Sequence, residues 1–206
     1  MSVAEQSGAL ILAGDGWETQ VLPGPPLIRP ARQFTFPFAV AGEEDALARG
    51  AMWLQVRVDG VGAWLAQCAL GFAGGEVAHG LWALPENRGV LACAGGYAYA
   101  VAPAAPERTV LLPPRPAVAV VALQARTALV THHELVILEA DGEVWTTPRL
   151  SWEGVTVLAA DEHAVHGTGW DMVDDVELSF TVDLRHRTAT GGGYALGRSA
   201  DSAALR

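Results

Sequence analysis

Apolar and polar residues alternate along several stretches of this chain, which is the pattern of β-strands with one buried face. In LSFTVDL, residues 178–184, every second side chain is apolar, so one strand face is buried and the other is solvated. The stretch WLQVRVDG, residues 53–60, repeats this pattern and ends in Asp59–Gly60, a dipeptide typical of tight turns. We therefore predict a hairpin that continues from residue 53 to Trp64.

Two further stretches predict hairpins. HELVILEADGEVWTT, residues 133–147, has an apolar run before the turn signal Asp141–Gly142 and a return strand after it. GVLACAGGYAYAVAPAAP, residues 89–106, is uncharged and reaches 18 residues, the length of a membrane span. Gly95–Gly96 and Pro103 interrupt it, and its second part alternates with period two. It predicts two buried strands joined by a turn.

The segment LVILEADGEVW, residues 135–145, resembles a hairpin found in blades of β-propellers. Three meanders fit the chain at about 88–112, 118–150 and 155–187, and a fourth sheet would have to come from the proline-rich N-terminal part. The predicted fold class is all-β, with packed antiparallel sheets built from hairpins and meanders in a sandwich-like or propeller-blade-like arrangement. One short helix is predicted at Glu43–Arg49, where acidic residues precede a glycine stop.

Length and composition favour one domain. The 206 residues suit a single β-rich domain, 1–206, with the alternative of two sheet-forming halves joined near the proline-rich stretch 103–116. Half of the residues are apolar and 17% are charged, so much of the chain must lie in a core or an interface. Residues 194–206 have little pattern and are predicted to be a loosely ordered tail.

Charge narrows the range of partners and chemistries. The formal net charge of -10 disfavours binding to nucleic acids and to anionic membrane surfaces. All basic residues other than histidine are arginine, which excludes a lysine Schiff base, a Walker-type phosphate loop and a serine–lysine dyad. The N-terminal segment has no basic region or long apolar run of the secretory type, so the sequence favours a cytoplasmic protein.

Metal and cofactor chemistry finds little support in the pattern. Cys68 and Cys93 stand 25 positions apart with no C-x-x-C pair, and we interpret them as small buried residues. His163 and His166 would point to opposite faces of a strand, and the adjacent pair His132–His133 would do the same, so neither pair predicts a metal site. The sequence therefore predicts no metal and no cofactor.

The stretch GTGWDMVDD, residues 167–175, concentrates carboxylates near the histidines. Asp171, Asp174, Asp175 and Glu177 could gather around a calcium ion, but the spacing of a calcium-binding loop is missing. We interpret the stretch as a solvated hairpin tip, with glycines that permit the bend and Trp170 packed inward.

Two classes of function remain open. The favoured one is a non-catalytic protein-binding or interaction module, whose partner is another protein or a second copy of the chain. Its candidate binding residues are Trp145, Arg149 and Trp152 in WTTPRLSW, because tryptophan and arginine are enriched at interface anchors. Strand alternation would place Trp145 rather than Trp152 beside Arg149. The alternative is a β-rich hydrolase or carbohydrate-processing enzyme with dispersed carboxylates; no catalytic residue is assigned.

Overall fold

The fold is made of β-sheets. The computed structural model describes residues 8–37, 47–71, 76–113 and 115–194. These residues form four sheets, and helix is limited in them to two 3₁₀ turns, Pro85–Asn87 and Pro106–Arg108. The predicted all-β class is confirmed. The predicted helix at Glu43–Arg49 lies largely outside the described residues, and its described part, residues 47–49, forms a turn.

Sheet I comes from the N-terminal part of the chain. Its strands are β1 (Ile11–Gly14), β2 (Trp17–Leu22), β3 (Arg32–Phe36), β4 (Ala51–Val58) and β5 (Gly62–Ala69). They lie in the order β1-β2-β4-β5-β3, with β3 parallel to β5 and the other pairs antiparallel. The proline-rich connection 23–31 therefore passes β4 and β5 to carry β3 to the far edge. The predicted hairpin of β4 and β5 is confirmed.

The other three sheets are four-stranded antiparallel meanders. Sheet II contains β6 (Gly80–Ala83), β7 (Val90–Ala94), β8 (Tyr97–Val101) and β9 (Val110–Leu111). Sheet III contains β10 (Ala119–Ala122), β11 (Arg126–Val130), β12 (Leu135–Glu139) and β13 (Val144–Thr146). Sheet IV contains β14 (Val155–Ala160), β15 (Ala164–Asp171), β16 (Val176–Asp183) and β17 (Thr188–Gly191). Strands follow one another in sequence order within each sheet, as the three predicted meanders require.

The sheets pack face to face in the order I, II, III, IV. Sheets II and III are covered on both faces, so alternate side chains of one strand enter different hydrophobic clusters. In β12, Val136 and Leu138 pack toward sheet II, whereas Leu135 and Ile137 pack toward sheet IV. Burial on both faces explains why this strand reads as a continuous apolar run instead of an alternating one. Strand β16, in contrast, is buried on one face only, where Phe180 and Val182 lie.

Buried hydrogen bonds connect sheets I and II inside their shared cluster. The indole Nε1 of Trp64, in β5, donates to the carbonyl oxygen of Pro103 at 2.9 Å. The hydroxyl of Tyr99, in β8, donates to the carbonyl oxygen of Ala69 at 2.9 Å. Both rings thus satisfy their polar atoms while filling the core, as buried Trp and Tyr side chains usually do.

The two cysteines are fully buried, as their interpretation as small hydrophobic residues predicted. Cys68 belongs to the cluster between sheets I and II, and Cys93 belongs to the cluster between sheets II and III. Burial raises the pKa of the Cys68 thiol to about 12 and raises the pKa of the Cys93 thiol as well.

No helix in the described part of the chain has the length and apolar character to cross a bilayer.

Candidate functional site

Two of the three predicted binding residues, Arg149 and Trp152, lie in the connection between sheets III and IV, residues 147–154, which we call the crossover. Its backbone is tied to both sheets: Leu150 N–H donates to the carbonyl of His133 at 2.7 Å, and Trp152 N–H donates to the carbonyl of Trp170 at 3.0 Å. Two of its own side chains, Leu150 and Ser151, are buried. The crossover therefore presents its remaining side chains from a fixed backbone.

Arg149 is held by neutral acceptors. Its Nε donates to the carbonyl of Ser151 at 2.9 Å, and its Nη2 donates to the carbonyl of Trp152 at 2.7 Å. The same Nη2 lies 3.2 Å from Nδ1 of His133. Within the described residues, no carboxylate comes within ion-pair distance of this guanidinium. The positive charge of Arg149 is therefore held in a fixed place, and no carboxylate of the described residues neutralises it.

Two aromatic rings contact Arg149. The guanidinium carbon lies 5.4 Å from the ring centroid of Trp152 and 4.6 Å from that of Tyr194, distances typical of cation–π contacts. The two rings meet edge to face with centroids 4.7 Å apart. All three side chains are half-buried. We call Arg149, Trp152 and Tyr194 the aromatic–arginine cluster.

The structure places Trp145 away from Arg149. Strand β13 ends at Thr146, so the alternation that paired Trp145 with Arg149 does not extend to residue 149. Trp145 instead donates from Nε1 to Glu139 at 2.8 Å, and the guanidinium of Arg187 lies 5.8 Å from its ring centroid. Trp145 packs against the cluster between sheets III and IV. Of the three predicted residues, Arg149 and Trp152 come together and Trp145 does not.

Three glycines, one in β15 and two just after β17, allow backbone segments to approach closely around the crossover. A Cβ at Gly169 would lie 2.3 Å from the carbonyl oxygen of Leu150, and one at Gly192 would lie 2.5 Å from the same atom. A Cβ at Gly193 would lie 2.2 Å from the backbone of Trp170. No side chain fits at these distances, so glycine is required there. Sequence reasoning missed Tyr194, although the glycine run before it signalled a close backbone approach.

The acidic stretch GTGWDMVDD forms a hairpin, as interpreted, but its glycines have a different role. Strand β15 ends at Asp171 and β16 begins at Val176. Gly167 and Gly169 lie inside β15 and not at the bend, and a Cβ at Gly167 would meet the ring of Phe180 at 2.5 Å. Trp170 does not pack inward; it is half-buried, and its Nε1 donates to Asp175 at 2.9 Å.

The histidines are dispersed. Nδ1 of His166 lies 3.0 Å from Oγ1 of Thr181 in the neighbouring strand, on the outer face of sheet IV, while His163 precedes β15. His132 lies 3.3 Å from Glu153. Within the described ranges, no three His, Cys, Asp or Glu side chains are grouped so that they could hold a metal ion.

A cleft of about 510 Å³ lies at the opposite end of sheets III and IV, and acidic residues contribute to its walls. Glu139 accepts hydrogen bonds from Arg126 and Trp145 at 2.9 and 2.8 Å. The carboxylate of Glu162 accepts the backbone N–H groups of Gln124 and Ala125. Glu139 therefore ties β12 to β11 and β13 within sheet III, whereas Glu162 joins the β14–β15 turn of sheet IV to the β10–β11 turn of sheet III. Both carboxylates have structural hydrogen-bond partners.

An exposed carboxylate beside this cleft gives a pH-dependent prediction. A side-chain hydrogen bond from His186, followed by backbone hydrogen bonds from residues 185 and 186, lowers the pKa of Asp183 from 3.8 to about 2. A pKa below the unfolded value means that the ionised group stabilises the turn above about pH 4, and that this contribution disappears as pH falls toward 2. Carbon-detected NMR titration should show Asp183 titrating near 2. A midpoint close to 3.8 would contradict the prediction, and Asp183→Asn should reduce acid sensitivity in that interval.

Comparison with protein-family models, curated proteins and solved structures finds no match to this chain. The arguments about its function therefore depend on the geometry of its own residues.

Proposed function

We propose that this protein is a non-catalytic binding module that recognises another protein through the aromatic–arginine cluster. The observation that supports this proposal is the half-buried guanidinium of Arg149, which contacts the rings of Trp152 and Tyr194 and has no described carboxylate partner. Arginine, tryptophan and tyrosine are the side chains that contribute most often to the energetic centres of protein interfaces.

Preorganisation favours this use of the cluster. Binding normally costs entropy because long side chains must be ordered at the interface. The hydrogen bonds from Arg149 to the carbonyls of Ser151 and Trp152, at 2.9 and 2.7 Å, hold the guanidinium in one position before a partner arrives. The edge-to-face contact between Trp152 and Tyr194 similarly restricts both rings. A partner would therefore meet a rigid surface.

The test removes each ring without removing the arginine, since Arg149 also holds the crossover. The parent protein is used to purify partners from cells, and the affinity of the main partner is then measured by calorimetry. Trp152→Ala is expected to weaken binding about thirtyfold, which corresponds to the loss of a central interface tryptophan. Tyr194→Ala should weaken it in the same direction. Both variants should melt close to the parent temperature.

Trp53→Ala provides the matched control, because Trp53 is a half-buried tryptophan of sheet I that lies far along the stack from the crossover. Its affinity for the partner should equal that of the parent. If Trp152→Ala and Tyr194→Ala are folded and bind the partner as tightly as the parent, the aromatic–arginine cluster is not the binding site.

A further inference from the structure

Three exposed apolar side chains lie at the tip of the β15–β16 hairpin. Met172 is 50% exposed, Val173 is 69% exposed and Val176 is 42% exposed. Met172 and Val173 follow Asp171 directly, and Val176 is the first residue of β16. Polar side chains would be equally compatible with this solvated turn. We call these three residues the apolar tip.

The apolar tip adjoins the aromatic–arginine cluster. Trp152 N–H donates to the carbonyl of Trp170 at 3.0 Å, and Trp170 N–H donates to Oγ of Ser151 at 2.8 Å. Gly193, next to Tyr194, packs on the backbone of Trp170 and Asp171. Through these contacts the crossover is fastened to the last residues of β15. The apolar tip and the cluster therefore form neighbouring parts of one end of the molecule.

Carboxylates surround this end. Asp175 and Glu177 lie on the exposed part of the hairpin, and Glu153 is exposed on the crossover. The charge is consistent with the whole chain, whose formal net charge is -10. A second copy of the chain is disfavoured as occupant, because a two-fold contact would bring identical acidic rims together. A basic partner would instead meet complementary charge.

We infer that the apolar tip extends the aromatic–arginine cluster into a single docking surface for a positively charged protein segment that carries apolar side chains. This inference rests on the proposed function and specifies the chemistry of its partner. The apolar side chains of the segment cover Met172, Val173 and Val176, while its lysines or arginines face the carboxylates of the rim. Arg149 lies at the other side of the surface and favours an acidic or carbonyl group of the same segment.

A random peptide library displayed on phage tests the inference directly. The immobilised parent protein should enrich peptides with a net positive charge and at least one large apolar residue. The triple variant Met172→Ser, Val173→Ser, Val176→Ser, which removes the apolar tip without changing charge, is left out of the selection and used only in the binding measurements. Enriched peptides, synthesised and measured by fluorescence anisotropy, should bind this variant at least about tenfold more weakly than the parent. Their affinity should also fall as salt rises.

Val61→Ser is the matched control, since Val61 is 60% exposed in the turn between β4 and β5 of sheet I. It should bind the peptides as the parent does. Enrichment of neutral or acidic peptides, equal binding to the triple variant, or no enrichment at all would overturn the inference. Loss of peptide binding in Trp152→Ala but not in the triple variant would agree with the proposed function but would show that the apolar tip is not part of the binding surface. Loss of peptide binding in the triple variant but not in Trp152→Ala would instead show that the aromatic–arginine cluster is not part of the docking surface.

Discussion

Trp64→Ala is expected to lower the free energy of unfolding by about 3–5 kcal/mol, the range for truncating a buried tryptophan. Trp64 has no exposed surface and is one of the largest side chains of the cluster between sheets I and II. Alanine would leave a cavity there. It would also leave the carbonyl of Pro103 without the indole donor that now lies 2.9 Å away. An unsatisfied buried acceptor adds to the cost of the cavity.

Urea denaturation followed by circular dichroism would measure the effect. Trp64→Phe should destabilise the protein less than Trp64→Ala, because phenylalanine refills part of the volume but cannot donate the hydrogen bond. Trp53→Ala is the matched control on the adjacent strand: Trp53 faces away from the cluster, so its loss should cost less than about 1 kcal/mol. Equal unfolding midpoints for Trp64→Ala and Trp53→Ala would contradict the packing described for sheets I and II.

Gly169→Ala is expected to destabilise the protein by about 1–3 kcal/mol or more, because the added methyl group has no space. Its Cβ would lie 2.3 Å from the carbonyl oxygen of Leu150 and 3.0 Å from Cβ of Ser151. Both neighbours belong to the crossover, which is fixed by backbone hydrogen bonds from residues 150 and 152. The methyl group can be accommodated only if the crossover moves away from β15.

The control for this substitution is Gly24→Ala. A Cβ at Gly24 meets nothing within 4 Å, and the residue lies in the connection between β2 and β3. Alanine there should leave stability unchanged within about 0.5 kcal/mol. Because displacement of the crossover shifts Arg149 and Trp152, Gly169→Ala should also weaken partner binding, whereas Gly24→Ala should not. Thermal melting of both variants at the same pH measures the effect. If Gly169→Ala melted at the same temperature as the parent, the close approach between β15 and the crossover would be contradicted.

Local pattern was sufficient for the meanders. The turn signal Asp141–Gly142 and the apolar run before it predicted β12 and β13, and period-two alternation predicted β16. These elements depend on residues close in sequence, so their information is present in short windows. Strand β3 was not predicted. It pairs in parallel with β5 after a long connection, and nothing in its local sequence indicates a position at the sheet edge.

The candidate site shows the same division. The residue types in WTTPRLSW predicted that an arginine and a tryptophan would lie together at a surface, and Arg149 does contact Trp152. The alternation rule selected Trp145 instead, because it assumed that the strand continued beyond Thr146. Tyr194 reaches Arg149 from 45 positions further along the chain, by way of the glycines that pack on the crossover. No window of local sequence contains that contact.

The sequence by itself determined the all-β class, the hairpins and the burial of both cysteines, because each follows from alternation, turn residues or the preference of small apolar side chains for the core. Only the tertiary structure decided the order of the sheets, the edge position of β3 and the partners of Arg149. These depend on which faces pack together and where backbones approach within a few ångströms. Such choices arise from contacts between residues far apart in the chain, and a pattern along the chain does not record them.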